Sequence, residues 1–113
     1  CGTAEVMPER LIDGVVAVSG SSPAYIFMII EAMADGAVRD GIPRAQAYRL
    51  AAQSVLGSAK MVLETGRHPG ELKDMVCSPA GTTIEAVAAM ERCGLRSAIL
   101  EGMEACSRKT RGM

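Results

Sequence analysis

The chain holds no tryptophan, one phenylalanine and two tyrosines in 113 residues. So few rings cannot build a stacking platform for nucleotide bases. An excess of one charge is missing as well: 12 Lys and Arg meet 13 Asp and Glu, for a net charge of -1. Without a basic field, no surface for nucleic acid or an anionic membrane is expected. There is one histidine, His68, and the four cysteines, Cys1, Cys77, Cys93 and Cys106, form no close pair. A zinc set within one chain is therefore excluded, and the reduced thiols of a cytoplasmic protein are expected. Long apolar runs are also lacking. The longest, Ala24 to Ile30, stops at Glu31, far short of the ~20 residues that cross a bilayer. No basic start followed by an apolar run and a small-residue cleavage site marks a signal peptide. The chain opens on Cys1 instead of methionine, and it reads as a fragment of a longer protein, with one domain over residues 1–113.

What is present is punctuation. Glycine and proline divide the chain into helical stretches, and the expected fold is all-α with five or six helices. Glu9 to Val18 reads as a short helix leading into a Ser19-Gly20-Ser21-Ser22 turn. Val15 to Val18 alone would suit a strand, but a lone strand has no partner here. Ser21 or Ser22 can cap the next helix, with Pro23 in its first turn. That helix runs to about Asp40 and stops at Gly41. Pro43 opens a third, which Gly66 closes. Pro69 to Val76, Thr83 to Arg92 and Arg96 to about Arg108 complete the set, with Gly94 between the last two. The basic tail Arg108-Lys109-Thr110-Arg111 is read as a solvated helix end interacting with the dipole.

The apolar share is 49%, high for so small a chain. About two thirds of the unfolded surface can be buried at this size, enough for a core without metal or disulfide staples. The second helix carries Tyr25, Phe27, Met28, Ile29, Ile30, Ala32, Met33 and Ala37 around nearly its whole circumference. A helix apolar all round is buried on every side. Five or six helices cannot easily cover two long central helices, this one and the one that follows it, and a second copy can, so a homodimer whose interface continues the core is expected. Met28, Met33 and Met61 fall inside helical runs and are read as core filling, in preference to an adaptable methionine-rich surface.

The chemistry concentrates in Ser78-Pro79-Ala80-Gly81-Thr82-Thr83, immediately before the apolar pattern of Ile84, Val87 and Ala88. A helix start exposes unpaired N–H groups and a partial positive charge. Two readings stand. Thr82 or Thr83 is an ordinary N-cap, or the hydroxyls and N–H groups form a pocket for a carboxylate or phosphate. A third possibility pairs the Cys77 thiol, as nucleophile, with His68 as base.

The window from His68-Pro69-Gly70-Glu71-Leu72-Lys73-Asp74-Met75-Val76-Cys77 through Ser78-Pro79-Ala80-Gly81-Thr82-Thr83-Ile84 resembles the signature of the pyrroline-5-carboxylate reductases. So does Ser19-Gly20-Ser21-Ser22-Pro23-Ala24-Tyr25, although Ser22 stands where many relatives have glycine. Ala34-Asp35-Gly36 and the Gly41-Ile42-Pro43 turn match as well, and the resemblance extends from about Leu11 to Arg108. It covers the C-terminal, helical part of such an enzyme. The resemblance implies an intertwined homodimer, which in some relatives assembles further into rings of dimers. It implies reduction of 1-pyrroline-5-carboxylate to L-proline with NADP or NAD in reduced form, the last step of proline biosynthesis. It places Ser78, Gly81, Thr82 and Thr83 at the substrate, with the Thr83 hydroxyl at the ring nitrogen as the catalytic contact. No Gly-x-Gly-x-x-Gly fingerprint occurs in the chain, so the dinucleotide-binding domain is absent from it and the isolated chain is expected to be inactive. Two other readings remain beside this one: a non-catalytic helical dimerisation module, and a regulator binding a small carboxylate. A different oxidoreductase with the same helical partner domain is a nearer variant.

Overall fold

The computed structural model describes residues 11–112. Over that span the chain is all-α, with no strand among the described residues. Its helices are α1 (Ile12–Val15), α2 (Ser22–Arg39), α3 (Arg44–Thr65), α4 (Pro69–Val76), α5 (Thr82–Arg92) and α6 (Leu95–Arg111), with a π-helical segment at Val16–Gly20 between α1 and α2. None is long and apolar enough to cross a membrane.

The first helix departs from expectation. Glu9 and Arg10 lie outside the described residues, and the helix continues through Ser19 and Gly20, which the sequence places in a turn. The Ser19 hydroxyl donates to the Val15 carbonyl at 2.9 Å. The Ser21 N–H reaches five residues back to Val16 at 3.0 Å. The wider π ring absorbs the extra residue without releasing the helix.

The remaining boundaries follow local chemistry closely. α2 ends in a paired turn: the Gly41 N–H donates to Val38 at 2.9 Å and the Ile42 N–H to Ala37 at 3.0 Å, with Gly41 left-handed at φ 105°. That is a Schellman motif, and it satisfies carbonyls the helix end would otherwise leave open. Pro43 then precedes α3 in extended geometry, and Gly66 closes it at φ 66° with its N–H on Val62. α5 begins at Thr82, one residue earlier than expected, and α6 begins at Leu95 after left-handed Gly94. The basic tail lies within the last turn of α6, where Arg108 and Arg111 approach Glu104 at 3.5 and 3.7 Å.

The chain divides into two compact units. In the unit formed by residues 11–27 and 94–112, α6 packs against α1 and the π-helical segment. Ala17 and Ser107 are buried there. The other unit spans residues 28–93, and its buried apolar side chains are Ala34 of α2 and Ala47 and Ala51 of α3. The guanidinium of Arg44 donates to Asp35 at 2.5 Å and lies 5.7 Å over the Tyr48 ring, bracing the corner between α2 and α3.

A large-residue core within the single chain is not what the structure contains. Met28 and Met61, expected as core filling, are 68% and 51% exposed, and Met33 is exposed too. On α3, which carries Met61, the apolar surface is wider than the rest of the chain covers. Buried Ala47 and Ala51 form one stripe, Leu50, Gly57 and Met61 follow one side of it, and Leu56 and Leu63 lie on the opposite face of the helix. The chain covers the alanine stripe and leaves that side and the opposite face open.

Candidate functional site

α4 hands the chain to the candidate site. The Cys77 N–H closes α4 on the Asp74 carbonyl at 3.1 Å, and Ser78 to Gly81 then form a tight turn with the Gly81 N–H on the Ser78 carbonyl at 3.1 Å. Pro79 fixes the second position, and Ala80 takes the third at φ 59°. A proline followed by a left-handed residue is the type II pattern, for which glycine is the usual third residue. Gly81 itself is extended, at φ -83° and ψ 176°. Its missing side chain matters for space: a Cβ there would sit 2.6 Å from the Ser78 hydroxyl oxygen. The Ser78 hydroxyl therefore lies directly over the backbone that opens α5.

The N-terminus of α5 carries no side-chain cap. Gly81 occupies the cap position, and Thr82 and Thr83 are the first two helical residues, so neither threonine is the N-cap that the sequence allows. A hydroxyl inside the first turn cannot fold back onto the N–H groups two and three residues ahead of a cap. The Gly81 N–H is already engaged, which narrows the available backbone donors to Thr82, Thr83 and Ile84. Thr83 is half-buried and Thr82 exposed. Glu85 is the acidic residue of the first turn, and Ser78, Thr82 and Thr83 supply hydroxyls around the end with positive partial charge.

The thiol–imidazole pairing does not form. His68 and Cys77 cap opposite ends of α4, ~13 Å apart along the helix axis. The His68 Nδ1 accepts from the Gly70 N–H at 2.9 Å. That cap escapes sequence reading because histidine is not among the usual capping residues.

Two further features lie outside the expected site. The Ser21 hydroxyl, available in sequence to cap α2, is 3.2 Å from the Cys106 thiol. Beside them burial raises the Tyr25 phenol above the ordinary tyrosine range, with Cys106 adding to the effect and Ser21 opposing it. Between α3 and α4 runs a groove of about 740 Å³, walled by Gly57, Met61 and Val62 on one side and Leu72, Met75 and Val76 on the other. Among the described residues no three of His, Cys, Asp and Glu come together as a metal site.

A family model described as pyrroline-5-carboxylate reductase dimerisation matches residues 9–113. The chain belongs to this family. It is 67% identical over 109 residues to a pyrroline-5-carboxylate reductase of Escherichia coli (strain K12), covering 96% of this chain and 40% of that protein. With the enzyme of Methanosarcina acetivorans it shares 56% identity over 110 residues, 97% of this chain and 41% of the relative. The chain thus spans about two fifths of the length of the curated relatives it matches. Among solved structures, a 1-pyrroline-5-carboxylate reductase from Streptococcus pyogenes superposes with a TM-score of 0.95 at 36% identity, over 99% of this chain and 43% of that one. A Plasmodium falciparum pyrroline carboxylate reductase with NADP bound gives 0.93 at 29% identity, over 99% of this chain and 45% of that one. The pyrroline-5-carboxylate reductase match takes in every described helix, so the Ser78–Gly81 turn and the open start of α5 lie within it.

Proposed function

We propose that this chain is the dimerisation and substrate-binding part of an oxidoreductase that reduces 1-pyrroline-5-carboxylate to L-proline, within proline biosynthesis, using NADPH or NADH. The observation that carries the reading is the uncapped start of α5 beneath the Ser78 hydroxyl. A carboxylate placed there receives the N–H groups of Thr82 and Thr83 and the hydroxyl of Ser78. Each charge-assisted hydrogen bond contributes about 1.5–3 kcal/mol, so two or three support millimolar to micromolar binding. The Thr83 hydroxyl, one residue into the helix, then meets the ring nitrogen. Its part is to hydrogen-bond and orient, because a threonine hydroxyl is too weak an acid to release a proton freely at neutral pH. Water or an already protonated iminium supplies that proton.

The described residues do not fit the nicotinamide dinucleotide itself. They contain no strand leading into a glycine-rich helix start, which is what cradles the diphosphate in a dinucleotide fold. The cofactor is assigned to residues outside this chain, and the chemistry derived from the chain is confined to binding and orienting the imine. A homodimer belongs to the same proposal. Two uncovered apolar flanks on α3 call for contacts on both sides of one helix, which an intertwined partner provides. Among the described residues Cys77, Cys93 and Cys106 are free thiols, in accord with a cytoplasmic protein.

The test is Thr83→Ala in the full-length protein. Turnover should fall on the order of a hundredfold, as loss of one preorganised donor does. Thr83 is not the cap of α5, so the thermal midpoint should hardly move. Near-normal turnover, or a loss explained by unfolding, would overturn the assignment of Thr83.

A further inference from the structure

Ala80 alone among the described non-glycine residues has a positive φ, 59°, and it sits in the turn that carries Ser78 to the start of α5. Resting on the function proposed above, we infer that Ala80 is a positioning residue for the ligand carboxylate: the left-handed form of its turn is the one that binds, and alanine keeps the free site out of that form for part of the time.

The cost of the conformation is not offset locally. Left-handed backbone brings an L side chain against the following carbonyl oxygen. A buried methyl would recover that cost by packing, but Ala80 is exposed, as are Ser78 and Pro79. Only the turn imposes the conformation, and the turn has an alternative. Its closing bond, from the Gly81 N–H to the Ser78 carbonyl at 3.1 Å, is common to two arrangements with proline at the second position. One has Ala80 left-handed, as here. In the other the Pro79–Ala80 peptide is turned over and Ala80 takes a negative φ, which alanine prefers.

The two forms differ in what they offer an anion. Turning the peptide over exchanges the directions of the Pro79 carbonyl and the Ala80 N–H, so one face of the turn changes the sign of its partial charge. Beside that face the Ser78 Oγ lies over Gly81, 2.6 Å from where a Cβ would stand, and the uncapped helix start follows at Thr82. A carboxylate there does not favour both forms alike, so it shifts the turn toward one of them. A disfavoured backbone at a ligand site, with no packing to account for it, points to the observed form as the binding one. Apparent affinity is then reduced by the fraction of free sites in that form.

Ala80→Gly, Ala80→Asn and Ala80→Val in the full-length protein test this, by calorimetric titration with proline and by steady-state kinetics. Glycine accepts positive φ freely, asparagine tolerates it and β-branched valine resists it most. Proline affinity should therefore rank Gly, Asn, Ala, Val, with Ala80→Gly binding roughly threefold to tenfold tighter than wild type. KM for 1-pyrroline-5-carboxylate should follow the same order while kcat holds, since Thr83 is untouched. Should Ala80→Val fail to fold, the glycine and asparagine variants carry the test. A purely structural role would raise the thermal midpoint of Ala80→Gly and leave its affinity at the wild-type value. That result overturns the inference, as does weaker binding by Ala80→Gly. Ser78→Ala separates this outcome from the reading beneath it. If Ser78→Ala weakens proline binding and Ala80→Gly does not tighten it, the role of Ala80 alone fails. If neither variant changes affinity, the carboxylate site itself is misplaced and the inference falls with it.

Discussion

Ala80 and Gly81 are adjacent and small, and each is where it is for a different reason. Gly41, Gly66 and Gly94 all have positive φ, and a glycine after a helical run announces that role in the sequence. Ala80 does not announce itself: it holds φ 59° although a side chain disfavours that region, and only the Pro79 turn closed on Gly81 imposes it. Gly81 is the reverse case, a glycine in ordinary extended geometry that is needed for space. In Gly81→Ala the new Cβ meets the Ser78 oxygen at 2.6 Å and the Ser78 carbonyl oxygen at 3.3 Å. The hydroxyl is a single rotor and can swing away, so stability should fall only modestly, by about 1–2 kcal/mol. Binding should suffer more. With the hydroxyl displaced, one charge-assisted bond to the ligand carboxylate is lost, and proline affinity in the full-length protein should drop about tenfold or more. Ser78→Ala should give a similar loss, and the double variant should lose much less than the sum, because both remove the same oxygen. Calorimetric titration with proline reads all three, and additive losses would separate Ser78 from Gly81.

At the level of elements, α4 was readable to the residue, since Pro69 starts it and the apolar pattern of Leu72, Met75 and Val76 ends at Cys77. The threonines misled by one position at α5, because Thr82 and Thr83 are good caps and Gly81 looks like loop. The π-helical turn at Val16–Gly20 was not legible at all. One extra residue per turn barely alters a short apolar pattern, and only the Ser21 bond to Val16 reveals it. What ends α3 was plain, and it makes a sharp expectation. Gly66 sits at φ 66° with its N–H on the Val62 carbonyl, and nothing lies within 4 Å of a Cβ built there. Gly66→Ala therefore tests the left-handed backbone conformation alone, with no new contact to the rest of the chain. A loss of about 1–2 kcal/mol is expected from urea denaturation of the full-length protein. A neutral outcome would mean that α3 ends by another route.

The whole molecule carries an excess of apolar surface that sequence reading did detect, as a helix apolar on all sides that a second copy is expected to cover. Met28, Met33 and Met61 are exposed in the single chain, so any core they fill is one shared with that copy. The open flank of α3 decides the matter. Leu56 and Leu63 are 61% and 83% exposed in the single chain, on the side away from the groove formed with α4. If that flank faced water in the working protein, Leu56→Glu with Leu63→Glu would be nearly neutral, as exposed changes usually fall within about 0.5 kcal/mol. If a partner covers it, two carboxylates are forced into an apolar contact, and the cost runs to several kcal/mol unless the contact opens. The dimer is expected, so the wild type should sediment as a dimer or a multiple of it, with a thermal midpoint that rises with concentration. The double variant should dissociate at micromolar concentration and lose that dependence. Full association with an unchanged midpoint would assign this flank to the outside and leave the α3–α4 groove as the side of α3 on which a partner has to bind.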